Sequence, residues 1–218
     1  MLVERILKII IVGDSGAGKT SLIKKYVNKN KSLIMPEITI GIDFQSKIIS
    51  LDGIPTKVHF WDTAGQDHFR SIINFYYKDT CAAIIVFDIT NFDSFANVKF
   101  WLEEVDRNNN CPSDHKHPVL LLGNKTDLKS KRTVSVEMVE ELIIKHGLLY
   151  AEVSAKEESD LETPINLLYG AIYQNLTNSN KRKCYGVREC VKFPEYQEQL
   201  KLDMPHRRWC WCSCCPIS

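Results

Sequence analysis

Three short stretches of this 218-residue chain combine residue types that could do chemistry. The first, GDSGAGKT (Gly13–Thr20), has the spacing G-x-x-x-x-G-K-[ST]. Its glycines let the backbone curl until successive N–H groups face one point. A helix starting at that point adds its partial positive charge, and together these suit a phosphate. Lys19 is placed to reach the outer phosphates of a nucleotide, and the Thr20 hydroxyl to bind Mg²⁺. Ser15, Gly16, Ala17, Gly18, Lys19, Thr20 and Ser21 are therefore the expected phosphate cradle. A plain glycine-rich turn is the bland alternative, but it requires neither the lysine and hydroxyl nor a strand before and a helix after.

The second stretch is WDTAGQ (Trp61–Gln66), at the end of an apolar run. Asp62 can hold the same Mg²⁺ through water, the Gly65 amide can touch a γ-phosphate, and Gln66 can orient an attacking water. The third is NKTD (Asn124–Asp127), with SAK (Ser154–Lys156) further on. The Asp127 carboxylate can accept two N–H bonds from guanine, from N1 and the exocyclic amine. Adenine offers neither at that edge, so its binding would leave a desolvated, unpaired carboxylate, a large discrimination. The Lys125 stem can cover the base, and Ala155 can supply a backbone N–H to the guanine oxygen. Asn124, Ser154 and Lys156 complete this expected base site. A kinase or ATPase built on the same phosphate loop is disfavoured by Asp127.

These residues must be positioned by regular elements. Ile6–Val12 reads as a buried strand and Gly18–Val27 as the helix after it. Ile40–Leu51 and Ile54–Trp61 flank Asp52-Gly53, a strong hairpin signal. Ala82–Asp88, Pro118–Asn124 and Leu148–Ser154 are further apolar strands, alternating with helical patterns over Ser94–Asp106, Val136–Lys145 and Leu161–Leu176. Strands apolar on both faces, alternating with helices, predict an α/β fold. We expect a six-stranded, mostly parallel sheet with one antiparallel strand and helices on both faces. In such folds ligands sit at the carboxyl ends of strands, where all the polar motifs lie.

GDSGAGKT, TIGIDF (Thr39–Phe44), WDTAGQ, NKTD and SAK together resemble the Ras-like small GTPases over about residues 6–176, and TIGIDF with WDTAGQD is most similar to the Rab branch, the regulators of vesicle traffic. The resemblance implies a Mg²⁺-dependent GTP/GDP switch with slow hydrolysis at Gln66. It makes Thr39 the loop residue that joins Thr20 and Asp62 at the metal and contacts the γ-phosphate. Phe44, Trp61 and Tyr76 become an aromatic patch read by effectors, with core packing as the alternative for each. An exchange factor, a GTPase-activating protein and prenyl-binding escort or dissociation-inhibitor proteins are the further implied partners. A GTP-binding scaffold with little hydrolysis is the runner-up, opposed by Gln66.

The chain also departs from the family. An aromatic usually stands where Lys31 does, twelve residues after Lys19, and stacks on guanine. Its absence predicts faster nucleotide release, since such stacking contributes about 1–3 kcal/mol. No arginine lies between Lys31 and Thr39 to act as an internal finger. Tyr76–Thr80 reads YYKDT where relatives carry a YYRGA-like run, and Arg107–His117 is longer than common. His115 and His117 in that loop read as solvated.

Composition separates a domain from a tail. The chain is 44% apolar and 25% charged, with net charge +1. Eight of 28 Lys and Arg, against four of 27 Asp and Glu, lie from Asn178 onward, so the tail carries +4 and the remainder −3. That balance argues against nucleic acid and directs any membrane attraction to the tail. We expect a G domain over residues 1–177 and a flexible tail over 178–218, with residues 178–209 a linker of roughly 30 Å reach. Six of the eight cysteines lie in the tail, which suits a reducing cytosol better than a disulfide scaffold. The ending HRRWCWCSCCPIS offers C-x-C-x-C-C, a poor match to the separated pairs of a zinc site. Lipid suits it better. CCPIS resembles the double-cysteine endings of Rab proteins, which places prenyl groups on Cys214 and Cys215, while CPIS also parses as a farnesylation signal on Cys215. Arg207, Arg208, Trp209 and Trp211 suit a headgroup interface, and Cys210 and Cys212 could take palmitate. The expected location is the cytoplasmic face of an intracellular membrane, cycling with cytosol. The N-terminus shows no signal-peptide layout, and Leu at position 2 excludes myristoylation.

Overall fold

The computed structural model describes residues 5–28, 42–63, 77–108, 117–157, 159–178 and 187–188. Within them the chain runs β1 (Arg5–Val12), α1 (Lys19–Val27), β2 (Ile42–Leu51), β3 (Ile54–Thr63), β4 (Ala82–Asp88), α2 (Phe92–Ala96), α3 (Val98–Arg107) and β5 (Val119–Asn124). A 3₁₀ turn over Thr126–Lys131 leads to α4 (Val136–His146), β6 (Leu149–Glu152), α5 (Glu162–Asn178) and β7 (Val187–Arg188). The strands form one sheet in the order β2-β3-β1-β4-β5-β6, with β7 on β1. β1, β3, β4, β5 and β6 are parallel and β2 pairs antiparallel with β3 through the expected hairpin, in which Asp52 (φ 54°) and Gly53 (φ 72°) both turn left-handed.

Two hydrophobic layers enclose the sheet because its central strands are apolar on both sides. Leu7, Ile9 and Ile11 of β1 face Leu22, Ile23 and Tyr26 of α1 and Ile165, Leu168 and Ile172 of α5. Ile10 and Val12 face the opposite way, toward Phe95, Val98, Trp101 and Leu102 of α2 and α3 and Val139 and Leu142 of α4. Each layer removes enough apolar surface from water to hold helices that are short by themselves.

Three expectations change. The helical pattern over Ser94–Asp106 is two helices, separated at Asn97, and α2 starts earlier because the Asn91 side chain caps Asp93 and Ser94 at 3.0 and 3.3 Å. His117 is not a solvated residue: it is partly buried, which pushes its pKa below the ordinary value. The segment expected to be linker contains β7, whose Val187 and Arg188 pair antiparallel with Leu7 and Ile6. The physical reason lies in the register. β4 joins β1 only from Ile9 onward, while β3 already covers the other edge from Arg5, so Ile6 and Leu7 leave an edge for the returning chain.

Candidate functional site

The phosphate loop leaves β1 in a conformation that requires glycine. Gly13 (φ 137°), Gly16 (φ 77°) and Gly18 (φ 95°) occupy the positive-φ region. A Cβ on Gly13 would lie 2.1 Å from the Val86 carbonyl oxygen, and one on Gly18 2.2 Å from the Asn124 amide nitrogen. Gly18 is also the N-cap of α1, and no side chain caps that helix. Lys19, at 5% exposure, crosses back over the loop and donates to the Gly13 and Asp14 carbonyls at 2.7 and 2.8 Å. Burial lowers its pKa to about 8, against the opposing pull of the Asp62 and Asp14 charges. Ser15 and Gly16 are exposed, Ala17 buried and Ser21 half-buried, so the loop presents backbone rather than side chains.

Beside it stands Asp62, at the end of β3 and 1% exposed. One carboxylate oxygen accepts a short hydrogen bond from the Thr20 hydroxyl. The other, Oδ1, is fully buried and has no hydrogen-bond partner among the described residues. Burial raises the Asp62 pKa to about 6, opposed by the Thr20 bond and the Lys19 charge. A buried carboxylate with one orphaned oxygen, next to a hydroxyl on a helix's first turn, fits a hard divalent cation. Thr39, Gly65, Gln66 and Tyr76 lie outside the described residues, as does Lys31.

The second half of the site gathers at the ends of β5 and β6. Asn124, 1% exposed, donates to the Ala17 carbonyl at 2.7 Å and accepts the Ala155 amide at 3.1 Å. It therefore stitches the phosphate loop to the SAK loop. The Ala155 N–H expected for a guanine oxygen is thus engaged by Asn124 in this structure. Ser154 donates to one oxygen of Asp127 at 2.6 Å and accepts the Lys156 and Glu157 amides at 3.1 and 3.0 Å, closing a turn. Lys125 adopts φ 70° and pairs with Asp88 at 2.7 Å, which fixes the end of its side chain. Burial works to raise the Asp88 pKa, but bonds from Lys125 and Thr90 outweigh it and hold the carboxyl below its usual range.

Six contributors lay outside the sequence motifs: Asp88, Thr90, Lys25, Ser159, and the Trp101 and Asn97 that hold the motif's own Asp14. Asp88 and Thr90 fix Lys125. Lys25 of α1 reaches the Ser154 carbonyl at 2.9 Å, and Ser159 braces both ends of the same residue at 3.1 and 2.8 Å. Asp14 is gripped by α3, accepting from Trp101 Nε1 at 2.8 Å and Asn97 Nδ2 at 2.7 Å. None of these had a local sequence signal beyond a strand-end Asp at position 88.

The aromatic patch is present in part. Phe44 is 44% exposed and meets Trp61 edge-on at 5.3 Å and His59 at 4.8 Å. The Lys8 ammonium sits 5.0 Å above the Trp61 ring.

A sheet of this order, with a phosphate loop, a buried metal-type carboxylate and a guanine-type loop at its carboxyl ends, defines a P-loop GTPase. Residues 8–174 match the family model described as Ras family. The chain is 38% identical over 200 residues, 92% of its length and 86% of the relative's, to "Ras-related protein RABA5c" of Arabidopsis thaliana. It is 37% identical over 173 residues, 79% of its length and 76% of the relative's, to "Ras-related protein Rab-11B" of Dictyostelium discoideum. The chain belongs to the Ras family of small GTPases. Within it the chain is of the Rab type, a binder of guanine nucleotide and a GTP hydrolase.

Proposed function

We propose that this GTPase is a membrane-anchored switch in vesicle traffic, working through the residues named above. The observation that carries the site assignment is the Asn124–Ala17 bond, which makes the base loop and the phosphate loop one rigid receptacle. In this reading Ser15 to Ser21 wrap the phosphates. Asp127, oriented by Ser154, accepts from guanine with the lone pairs that Ser154 leaves. Lys125, held by Asp88, covers the base.

Thr20 and Asp62, with Thr39, would hold Mg²⁺, and the orphaned Asp62 oxygen supports that donor set. The ion, when bound, neutralises charge on the β- and γ-phosphates. Gln66 orients water, and Thr39 with the Gly65 amide closes on the γ-phosphate, so that hydrolysis removes the common partner of two loops and lets them relax. Lys19 supplies one positive charge. With no arginine between Lys31 and Thr39, an activating protein provides the second. Single-turnover hydrolysis tests this: Gln66→Leu should abolish stimulated turnover, and an unchanged rate refutes the assignment. Asp127→Asn should lose GTP and gain xanthosine triphosphate, whose C2 carbonyl needs a donor.

Effectors are read by Phe44 and Trp61, with Tyr76; the exposure of Phe44 supports a surface role over core packing. An exchange factor and an escort or dissociation inhibitor complete the cycle. Among the described residues no helix is long and apolar enough to cross a membrane. Anchoring is assigned to prenyl groups on Cys214 and Cys215, placing the protein on the cytoplasmic face of an intracellular membrane and, when extracted, in cytosol. Mass spectrometry of the C-terminal peptide from native cells should find two lipids there; bare cysteines refute the anchor and leave the GTPase standing.

A further inference from the structure

We propose that Asp14 is a positioning residue, tied by Trp101 and Asn97 so that α3 sets the shape of the phosphate loop and thereby the rate at which nucleotide leaves. The inference rests on the nucleotide site proposed above. It adds a part of the molecule, α3, that no phosphate, base or metal touches.

The loop's first half has few fixings. Gly13 and Gly16, both at positive φ, offer no side chain to tie the loop to its surroundings. The backbone ties there are Ala17 N–H to the Asp14 carbonyl at 3.3 Å and the two bonds from Lys19. Those from Lys19 use the very ammonium that a phosphate would claim. The Asp14 carboxylate is a separate tie. Its Oδ1 takes the Trp101 indole N–H at 2.8 Å and its Oδ2 the Asn97 amide at 2.7 Å, so both oxygens are spent on one helix terminus. Bonds with an ionised acceptor are roughly twice as strong as neutral ones.

The donor is itself immobile. Trp101 is 5% exposed, packed in the layer with Ile85, Phe87 and Val105, and its ring meets Phe100 edge-on at 5.2 Å. Asn97 is the residue at which α2 ends and α3 begins, and its amide donates to the Asp14 carboxylate. The break between the helices and the grip on the loop are therefore one feature. A shift of α3 that breaks either bond loosens Asp14, and with both broken the loop loses the fixing that nucleotide does not compete for.

The test is a double-mutant cycle on the full-length protein, reading release of a fluorescent GDP analogue. Asp14→Ala and Trp101→Phe should each speed release about tenfold, equal to about 1.4 kcal/mol. The double variant should be no faster than Asp14→Ala alone, the sign of one shared interaction. Additive effects, or release rates equal to wild type, overturn the proposal. A spectroscopic readout separates positioning from general loosening. The Trp101 indole N–H resonance, assigned through Trp101→Phe, should move in Asp14→Asn. A resonance indifferent to the Asp14 substitution refutes the bond. Should wild type bind no guanine nucleotide, the failure belongs to the site assignment instead.

Discussion

The Asn124 side chain spans from the Ala17 carbonyl at 2.7 Å to the Ala155 amide at 3.1 Å, joining the phosphate loop to the base loop across the sheet's carboxyl end. At 1% exposure, neither polar atom has water as a substitute. Asn124→Ala should leave the buried Ala17 carbonyl and the half-buried Ala155 amide unpaired, at about 1–3 kcal/mol for the buried one. We expect a lower thermal midpoint and nucleotide release faster by at least tenfold, measured by loss of fluorescent GDP. A variant with wild-type release would mean that the two loops are held independently.

Gly13 is a steric necessity. Its would-be Cβ falls 2.1 Å from backbone oxygen of β4, and β4 is central to the sheet. Gly13→Ala must therefore displace the loop or the strand, and we expect about 3 kcal/mol of destabilisation. Chemical denaturation checks it, with no loss predicting a loop able to adopt another course.

Those two features differ in how far the sequence revealed them. Gly13, Gly18, Lys19 and Thr20 are neighbours in the chain, so one spacing announced both cradle and helix start. Asp62 was legible because it closes an apolar run, and Asp127 because NKTD follows another run in order and spacing after the first two motifs. The Asp14 clamp was not, because its donor Trp101 is 87 positions away and a tryptophan on an amphipathic helix looks like core, which it also is. β7 escaped for a different reason: two residues make no alternating pattern, and only the register of β4 on β1 creates their place. The split at Asn97 was hidden by periodicity that continues across it.

Asp88 should prove as necessary as the motif residues. It accepts from Lys125 at 2.7 Å and from the Thr90 amide and hydroxyl at 2.8 and 2.7 Å. Asp88→Ala frees the Lys125 stem, so GTP affinity should fall by about tenfold or more by equilibrium titration. Affinity equal to wild type would show that the stem needs no partner.

Stability should depend on pH through His117. Burial depresses its pKa below 6.5 in the folded protein, so between that lower value and 6.5 the unfolded chain binds more protons. Folding free energy from this group is therefore full above about pH 6.5 and lost as pH falls through the folded value. His117→Gln should flatten the dependence of thermal midpoint on pH between 7 and 5. An unaltered slope would assign the acid loss to other groups.

Phe44 should behave oppositely to the buried residues. At 44% exposure, with Trp61 and His59 as edge contacts, its removal costs the fold little, within about 1 kcal/mol for Phe44→Ala. Effector binding should fall by more than about tenfold in a pull-down titration against the GTP-loaded protein. Lost stability with retained binding would make it a packing residue.

The pairing of Val187 and Arg188 with β1 determines where a pull on the C-terminus enters the domain. Tension applied at Arg188 from the C-terminal side is taken up by β1, the strand whose last residue, Val12, precedes the phosphate loop. Among the described residues two hold that junction, so a modest load peels it and transfers the strain to the end of α5. A tethered molecule thus has two mechanical regimes, one loading the strand that carries the nucleotide loop and one loading the helix packed over it.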